Sequence, residues 1–558
     1  MNNVENETQP APAIHNVPLN DVESGLDRES RLRGLSWASL RSLSISDILS
    51  DPSKLSATFE HFSEHWQDYL EDWFTRLGIV ITPSYLQHLV GGQPPPQSKL
   101  HAIAALDGLR GWACLLVFNF HFLFTYTWKV SVGWGFNNDN FHLYQLPIIH
   151  VLVSGHIMVA IFFVISGYVL SYKPLKMIRS RSWDETFVVL ASSTFRRGLR
   201  LYVPSVFGIL LVLIAVRLGA YNYSQKVLFE GHTILGTNEQ HPPIMVKSFL
   251  RQCWDWYATV ARLMDPFDWA LYYNNYNPHL WTIPVEFRSS MVLFLTILAT
   301  SRVKTAVRIS LVSLLVWFCM RYGRWDVVLF LAGMLMAEAD LIQGIWENRA
   351  ASEENGDKEK RGWSSHSSHS TANYRPSFRF SSSRRWIALF VLGLYLGSTP
   401  NTGYKFTPFF MWTWHITPKA YPEPHRFPQT LGAIMIVYSI NHSKDIQKLF
   451  VNPVSQYLGK ISYAFYIVHG PILHSLGYSL MPNIWSITGK ETNLQYCLGF
   501  FIGWLICLPI SLWAGDLFWR LVDIPSVTLA RWIENAVLTK TTGREKATPV
   551  PRVPVRMD

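Results

Sequence analysis

The chain has 558 residues, of which 49% are hydrophobic and 16% charged, and its formal net charge is +10. The apolar residues come in runs separated by basic, Pro-rich or Ser-rich breaks, which predicts a protein that crosses a membrane several times rather than one small soluble domain. The cations cluster beside the apolar runs, so no nucleic-acid partner is expected. Four of the five cysteines lie in apolar runs and no CxxC pair occurs, so neither a disulfide framework nor a metal site is expected.

Residues 1–98 form a polar N-terminal region. Its first residues contain no apolar core of a cleaved signal peptide, so the first membrane helix is expected to act as the signal. Aromatic side chains at spacings of three and four predict an amphipathic helix near 56–80. Such a helix suits either the membrane interface or docking on the helix bundle, and its acidic polar face favours docking.

About ten apolar segments within residues 99–535 predict an all-α bundle of transmembrane helices. The predicted spans are 109–127, 148–170, 201–219, 282–300, 309–322, 326–343, 386–400, 429–441, 461–480 and 496–518. Several are shorter than the ~20 residues that a full crossing needs. A polar tail, 536–558, follows the bundle.

The basic residues predict how the bundle is oriented. Most of them fall in the breaks that follow even-numbered spans, which places those breaks and both termini in the cytosol. The stretch near 345–385, rich in Ser, His and charged residues, is then a disordered cytosolic insert. The long 220–280 loop lies on the opposite side of the membrane.

The first span carries ionisable residues at unusual depth. Arg110 and His121 are separated by ten residues, so on a helix they share nearly one face and stand roughly 16 Å apart along the axis. Ionisable side chains at such depth usually face a bundle interior or a water-filled cavity. Spacing alone leaves two roles open for His121: a structural hydrogen bond to a neighbouring helix, or catalysis.

The segment from Leu106 to His121, which also contains Asp107, resembles the opening motif of the acyltransferase 3 family, in which an arginine and a histidine are separated by ten residues. The resemblance covers roughly residues 100–535, and a fungal member is expected. It implies an integral-membrane O-acyltransferase that uses acetyl-CoA, with a small-molecule or glycan acceptor. His121 would be the general base, while Arg110 would bind the donor's charge or stabilise the oxyanion.

Two further segments match family motifs before the third span. Phe162–Tyr168 resembles the second-helix motif, although its Ser166 also suits a small-residue contact between helices. Phe195–Pro204 resembles the arginine motif, and its Arg197 and Arg200 are neighbours on one helical face. The resemblance implies that these guanidinium groups bind the coenzyme's phosphates, and anchoring at the membrane surface is the structural alternative.

Two later segments complete the pattern. His279–Phe287 resembles the family's Trp-Thr-…-Glu segment, in which Glu286 would orient the histidine, recognise the acceptor hydroxyl or form a structural salt bridge. Leu458–Pro471 resembles the late Tyr-x-x-His segment, and its Tyr466 and His469 are spaced as neighbours on one helical face.

One position departs from the family. Asp523 stands where the family's Glu-x-Pro has glutamate, and this departure favours a structural role.

Two other classes of function compete with an enzyme. A transporter or channel with a proton-relay histidine would also bury Arg, His and Glu, but no internal repeat is visible. A non-catalytic scaffold is disfavoured because Arg110 and His121 are both present. The residues do not specify the acceptor, the oligomeric state, or whether the membrane is the plasma membrane or an endomembrane.

Overall fold

The computed structural model describes residues 66–90, 103–224, 243–344 and 382–538. The chain forms two compact units, Met1–Pro95 and Pro96–Asp558. In the first unit, helix α1 spans Trp66–Ile81. It matches the described part of the predicted amphipathic helix; residues 56–65 lie outside the described residues, and docking on the bundle stays a prediction.

The second unit is helical, and its described residues contain no strand, which confirms the predicted all-α fold. Its helices are α2 (Ala104–Phe124), α3 (Gly155–Arg179), α4 (Trp183–Arg217), α5 (Phe249–Leu263), α6 (Thr282–Thr300), α7 (Thr305–Arg321), α8 (Trp325–Gln343), α9 (Ser382–Gly397), α10 (Arg426–His442), α11 (Pro453–Ile472), α12 (Tyr478–Thr488), α13 (Asn493–Phe518) and α14 (Ile524–Val537). The largest apolar core lies around α3 and α8.

Each predicted span overlaps at least one of these helices, and 461–480 overlaps both α11 and α12. By length and composition, four described helical segments are long and apolar enough to cross a membrane: Gly155–Arg179, Trp183–Arg217, Pro278–Thr300 and Asn493–Val537. The number ten for all crossings therefore stays a prediction. Apart from its last residues, which begin α9, the predicted insert lies outside the described residues.

The segment 220–280, which the sequence predicts as a loop, contains a helix. Helix α5 occupies fifteen residues of it, and Ser248 caps the helix by accepting a hydrogen bond from the backbone N–H of Arg251. Its aromatic residues alternate with polar ones and give no long apolar run, so a search for membrane spans passes over it.

Helices α2 and α11 pack with their backbones in contact. A Cβ atom added to Gly111 would lie 2.5 Å from the backbone nitrogen of Gly459, and one added to Gly459 would lie 2.4 Å from the carbonyl oxygen of Asp107. Glycine is therefore required where the helices cross. Beside the crossing, Trp112 Nε1 donates a hydrogen bond of 2.8 Å to Ser455 Oγ. The contact holds the motif histidine of α2 close to the late motif on α11.

Two π-helical turns join consecutive helices. Leu473–Gly477 connects α11 to α12, and Trp519–Asp523 connects α13 to α14. A π-helical turn adds a residue to the helix and changes the direction of the side chains after it, and such turns are frequent at functional sites. The first turn follows the late histidine motif, and the second contains Asp523.

Candidate active site

Three histidines from three segments meet inside the bundle. His121 lies in α2, His279 in the short helical turn Pro278–Trp281 before α6, and His469 in α11. The ring centroids of His121 and His279 are 3.9 Å apart, those of His279 and His469 4.9 Å, and those of His121 and His469 5.5 Å. His279 and His469 are buried and His121 is half-buried. We call this group the histidine centre.

Hydrogen bonds orient two of the three rings. His469 Nδ1 lies 3.2 Å from the carbonyl oxygen of Phe465, which can only accept, so Nδ1 carries the proton. His279 Nδ1 lies 3.3 Å from Asn277 Oδ1, and Asn277 Nδ2 donates to the Ile467 carbonyl over 2.8 Å. That second bond fixes the amide with its oxygen toward the ring, so His279 Nδ1 also donates.

The Nε2 atoms of His279 and His469 have no hydrogen-bond partner in the described part of the chain. One nitrogen from each of His121, His279 and His469 can be chosen so that all lie within 4.8 Å of one another, and this set could hold a metal ion. The absence of a metal was expected from cysteine spacing, which carries no information about histidines.

Tyr466 connects the histidine centre to the start of α6. Its hydroxyl lies 2.7 Å from Thr282 Oγ1 and donates to the carbonyl oxygen of His279, and its ring centroid is 5.7 Å from that of His469. Next to it, a Cβ atom on Gly470 would lie 2.1 Å from His279 Nδ1. Only glycine leaves room for the His279 ring at this position.

A second group of charged residues lies where α2 begins. Arg110 pairs with Asp107 at 3.5 Å, and both side chains are more than one-third exposed. Arg200 is exposed and lies within electrostatic range of Arg110, Arg197 and Asp523. We call Arg110, Arg197 and Arg200 the basic mouth.

Glu286 contacts the basic mouth rather than the histidine centre. Its Oε1 accepts hydrogen bonds from Arg197 Nη2 at 2.6 Å and from Ser166 Oγ at 3.1 Å. Arg197 Nε also donates to Ser290 Oγ at 3.4 Å. The salt bridge that the sequence left as one alternative is therefore present, and within the described residues no hydrogen bond of Glu286 reaches a histidine.

Tyr463 lies between the two groups. Its hydroxyl donates to the Leu201 carbonyl at 2.6 Å and lies 3.2 Å from Ser205 Oγ, and it is within electrostatic range of Glu286. Because Arg110 and His121 are on one continuous helix, the basic mouth and the histidine centre stand roughly 16 Å apart along α2. Polar side chains thus extend from the partly exposed arginines to a buried imidazole cluster.

A polar route of this kind inside a helical bundle fits more than one function, and similarity to known proteins decides between them. A family model described as an acyltransferase domain matches residues 103–514. The chain belongs to the acyltransferase 3 family. The match spans the histidine centre and all three arginines of the basic mouth, and it confirms the resemblance drawn from the motifs.

Three curated fungal proteins that are named acyltransferases match along most of their length. The O-acetyltransferase PaAT-1 of Phomopsis amygdali is 31% identical over 470 residues, which cover 82% of this chain and 89% of the relative. The acyltransferase clz18 of Cochliobolus lunatus is 27% identical, covering 78% of this chain and 96% of the relative. The acyltransferase R4 of Phoma sp. is 26% identical, with 77% and 95% covered. No solved structure matches the chain.

Two residues of the site were not selected from the sequence of this acyltransferase. His279 begins the Trp-Thr-…-Glu segment but precedes the predicted span, and no spacing relates it to His121. Asn277, which orients the His279 ring, lies two residues earlier in a polar loop. The family motif that contains His279 is the only sequence signal that points to either residue.

Proposed function

We propose that this membrane acyltransferase transfers an acetyl group from acetyl-CoA to a hydroxyl group of a small molecule, such as a secondary metabolite, or of a glycan. The observation that carries the proposal is the histidine centre inside the bundle, roughly 16 Å along α2 from the partly exposed arginines of the basic mouth. Support for acetyl as the acyl group comes from the relative at 31% identity, whose name is O-acetyltransferase. Family membership favours this reaction over the transporter alternative.

The chemistry needs one group that accepts a proton. The acceptor's hydroxyl oxygen attacks the thioester carbonyl carbon, the carbon–sulfur bond breaks, and the hydroxyl proton ends on the sulfur of coenzyme A. A hydroxyl is a weak nucleophile at neutral pH, so a positioned base must take its proton as the new bond forms, and histidine is the usual choice. His121 takes this role, and Tyr466 and His469 line the site next to it.

The arginines bind the charged part of the donor. Arg110 is too far from His121 along α2 to stabilise an oxyanion there, which favours the other role left open by the sequence, binding the donor's charge. Arg197 forms a salt bridge with Glu286, whereas Arg200 is exposed. Arg200 therefore contacts the coenzyme's phosphates, and Arg197 has a structural role beside it. Glu286 then acts by fixing Arg197.

The test is comparative metabolite profiling of cells that express the chain, the His121→Ala variant, or neither. The expected result is a compound whose mass rises by one acetyl group only where the unaltered chain is present. The same compound, isolated in its unacetylated form, should be acetylated by membranes supplied with acetyl-CoA. If expression shifts no compound by an acetyl group, or if the variant produces the same shift, the proposal fails.

A further inference from the structure

We propose that His121, His279 and His469 bind a zinc ion that receives the acceptor's hydroxyl oxygen as a further ligand. The role of the zinc in acetyl transfer rests on the proposed function, whereas the zinc site itself follows from the positions of the three histidines. It changes one step of the reaction, because an imidazole nitrogen that binds a metal cannot also accept a proton.

The three rings are close enough to share one ion. Three atoms within 4.8 Å of one another always leave a point that lies no more than about 2.8 Å (4.8 Å divided by √3) from each of them. Zinc–nitrogen bonds measure about 2.0–2.1 Å. Each nitrogen would therefore move by at most about 0.8 Å, which small side-chain rotations can supply.

The hydrogen bonds around the rings favour a metal over a proton donor. Because the Nδ1 protons of His279 and His469 are donated to Asn277 and to the Phe465 carbonyl, the buried Nε2 atom of each ring keeps a lone pair that accepts no hydrogen bond from the described residues. One hydroxyl proton can satisfy only one of them. Histidine ligands of metals characteristically donate their second ring nitrogen to a carbonyl or carboxylate oxygen, as both rings do here.

The ligand set selects the kind of ion. Imidazole nitrogens suit zinc and neighbouring transition metals rather than Mg²⁺ or Ca²⁺, which prefer oxygen. In one common type of catalytic zinc site, three histidines hold the ion and the fourth position takes water or substrate. A hydroxyl bound there would be more acidic; its oxygen would attack the thioester carbonyl carbon, the carbon–sulfur bond would break, and the hydroxyl proton would end on the sulfur of coenzyme A.

The experiment measures zinc in the purified full-length protein, by elemental analysis and by titration against a zinc-sensitive dye. The unaltered chain is expected to bind about one zinc, and His279→Asn and His469→Asn should each weaken binding at least tenfold. His469→Cys should keep zinc, because thiolate is also a zinc ligand. If His469→Cys binds zinc and His469→Asn does not, the loss in His469→Asn is due to the missing ligand and not to misfolding.

His150→Asn is the matched control. His150 is fully buried, its Nδ1 lies 3.2 Å from the Tyr144 carbonyl oxygen, and its Nε2 has no partner in the described ranges, but it is not part of the histidine centre. Zinc binding equal to that of the unaltered chain is expected. If the unaltered chain binds no zinc, or if His150→Asn lowers binding as much as His279→Asn, the inference is overturned.

Activity measurements separate this inference from the proposed function. If chelation stops acetyl transfer and Zn²⁺ but not Mg²⁺ restores it, the zinc role is supported. If zinc-free protein acetylates at full rate, the inference is overturned while the proposed function stands, with His121 as base. If zinc binds through the three histidines and no acetyl transfer is found, the site stands and the proposed function fails.

Discussion

His121 carries the proposed chemistry because of its depth and its neighbours. An imidazole deep in an apolar helix is costly to bury unless it faces polar groups inside the bundle. Here the ring centroids of two more imidazoles lie within 5.5 Å of the His121 centroid. As a base or as a zinc ligand, His121 supplies the lone pair of an imidazole nitrogen, and it is the one histidine of α2. Its removal therefore tests the site as a whole.

We expect His121→Ala to reduce acetyl transfer by about 10²–10⁴-fold, the usual contribution of a general base, while the protein still accumulates in membranes. The measurement is the initial rate in membranes matched for protein level, with His150→Asn as a control for loss of a buried histidine. Near-normal activity in His121→Ala would reject His121 and direct attention to His469.

The arginines of the basic mouth give a second prediction at this scale. Arg200→Gln should raise the KM for acetyl-CoA more than the KM for the acceptor, because a guanidinium that contacts phosphate is lost. Arg200→Lys should restore only part of the affinity, since lysine provides a point charge rather than a fork. Kinetics in membranes, with each substrate varied in turn, measure both constants.

Arg196→Gln is the control for this series. Arg196 lies on the same helix but pairs with Glu534 at 3.0 Å instead of facing the mouth residues. An unchanged donor KM in Arg200→Gln, together with a raised acceptor KM, would contradict donor binding and place Arg200 in the acceptor site.

These residues show what spacing can and cannot predict. Arg110 and His121 were recognisable because one helix carries both, so their separation follows from helix geometry. The meeting of His121 with His279 and His469 depends on how three segments distant in sequence cross, which no local period encodes. Glu286 was ambiguous for the same reason: its salt bridge to Arg197 joins α6 to α4.

At the scale of the helices, the crossing of α2 and α11 sets the geometry of the site. Both helices carry site residues, and their backbones touch because Gly111 and Gly459 have no side chains. Both glycines lie within motifs that the sequence analysis recognised, so each could be suspected of allowing a close helix contact. The sequence did not show that the two helices contact each other at these glycines. Which glycine meets which helix follows only from the packed bundle.

We expect Gly459→Ala to destabilise the bundle by about 1–3 kcal/mol, the usual cost of overpacking, because the new Cβ would lie 2.4 Å from the Asp107 carbonyl oxygen. The shift of α11 should also lower acetyl transfer. Thermal unfolding of the purified protein measures the first effect. Gly78→Ala on α1 is the control, since nothing lies within 4 Å of its added Cβ, and equal losses of stability in both variants would contradict a close crossing.

For the molecule as a whole, the proposed function demands one orientation in the membrane. Coenzyme A is cytosolic, so the basic mouth must open to the cytosol, as the basic breaks predict for the start of α2. From the 220–280 loop, the chain then has to cross three times, as α6, α7 and α8, to bring the 345–385 insert to the cytosolic side. Of these three, only the segment that contains α6 is long and apolar enough by itself to indicate a crossing.

A pair of protease-cleavage tags tests this orientation. A tag after Ser367 should be cut by protease added to the cytosolic face of sealed vesicles, whereas a tag after Gly236 should be protected until detergent opens them. Both positions lie outside the described residues, so the expectation comes from charge alone: Lys358, Lys360 and Arg361 hold the insert on the cytosolic side, and its acidic residues count for little under the positive-inside rule.

Cleavage of both tags from the same side would mean that an even number of crossings separates them. Either α7 or α8 would then lie along the membrane surface or re-enter the membrane. Which end of α6 lies at the cytosolic face of the membrane would have to be decided again. Because Glu286 on α6 holds Arg197, that result would also remove the argument that the basic mouth opens toward cytosolic coenzyme A. The donor site would then have to be sought at the other end of the bundle, while the contacts within the histidine centre would be unaffected.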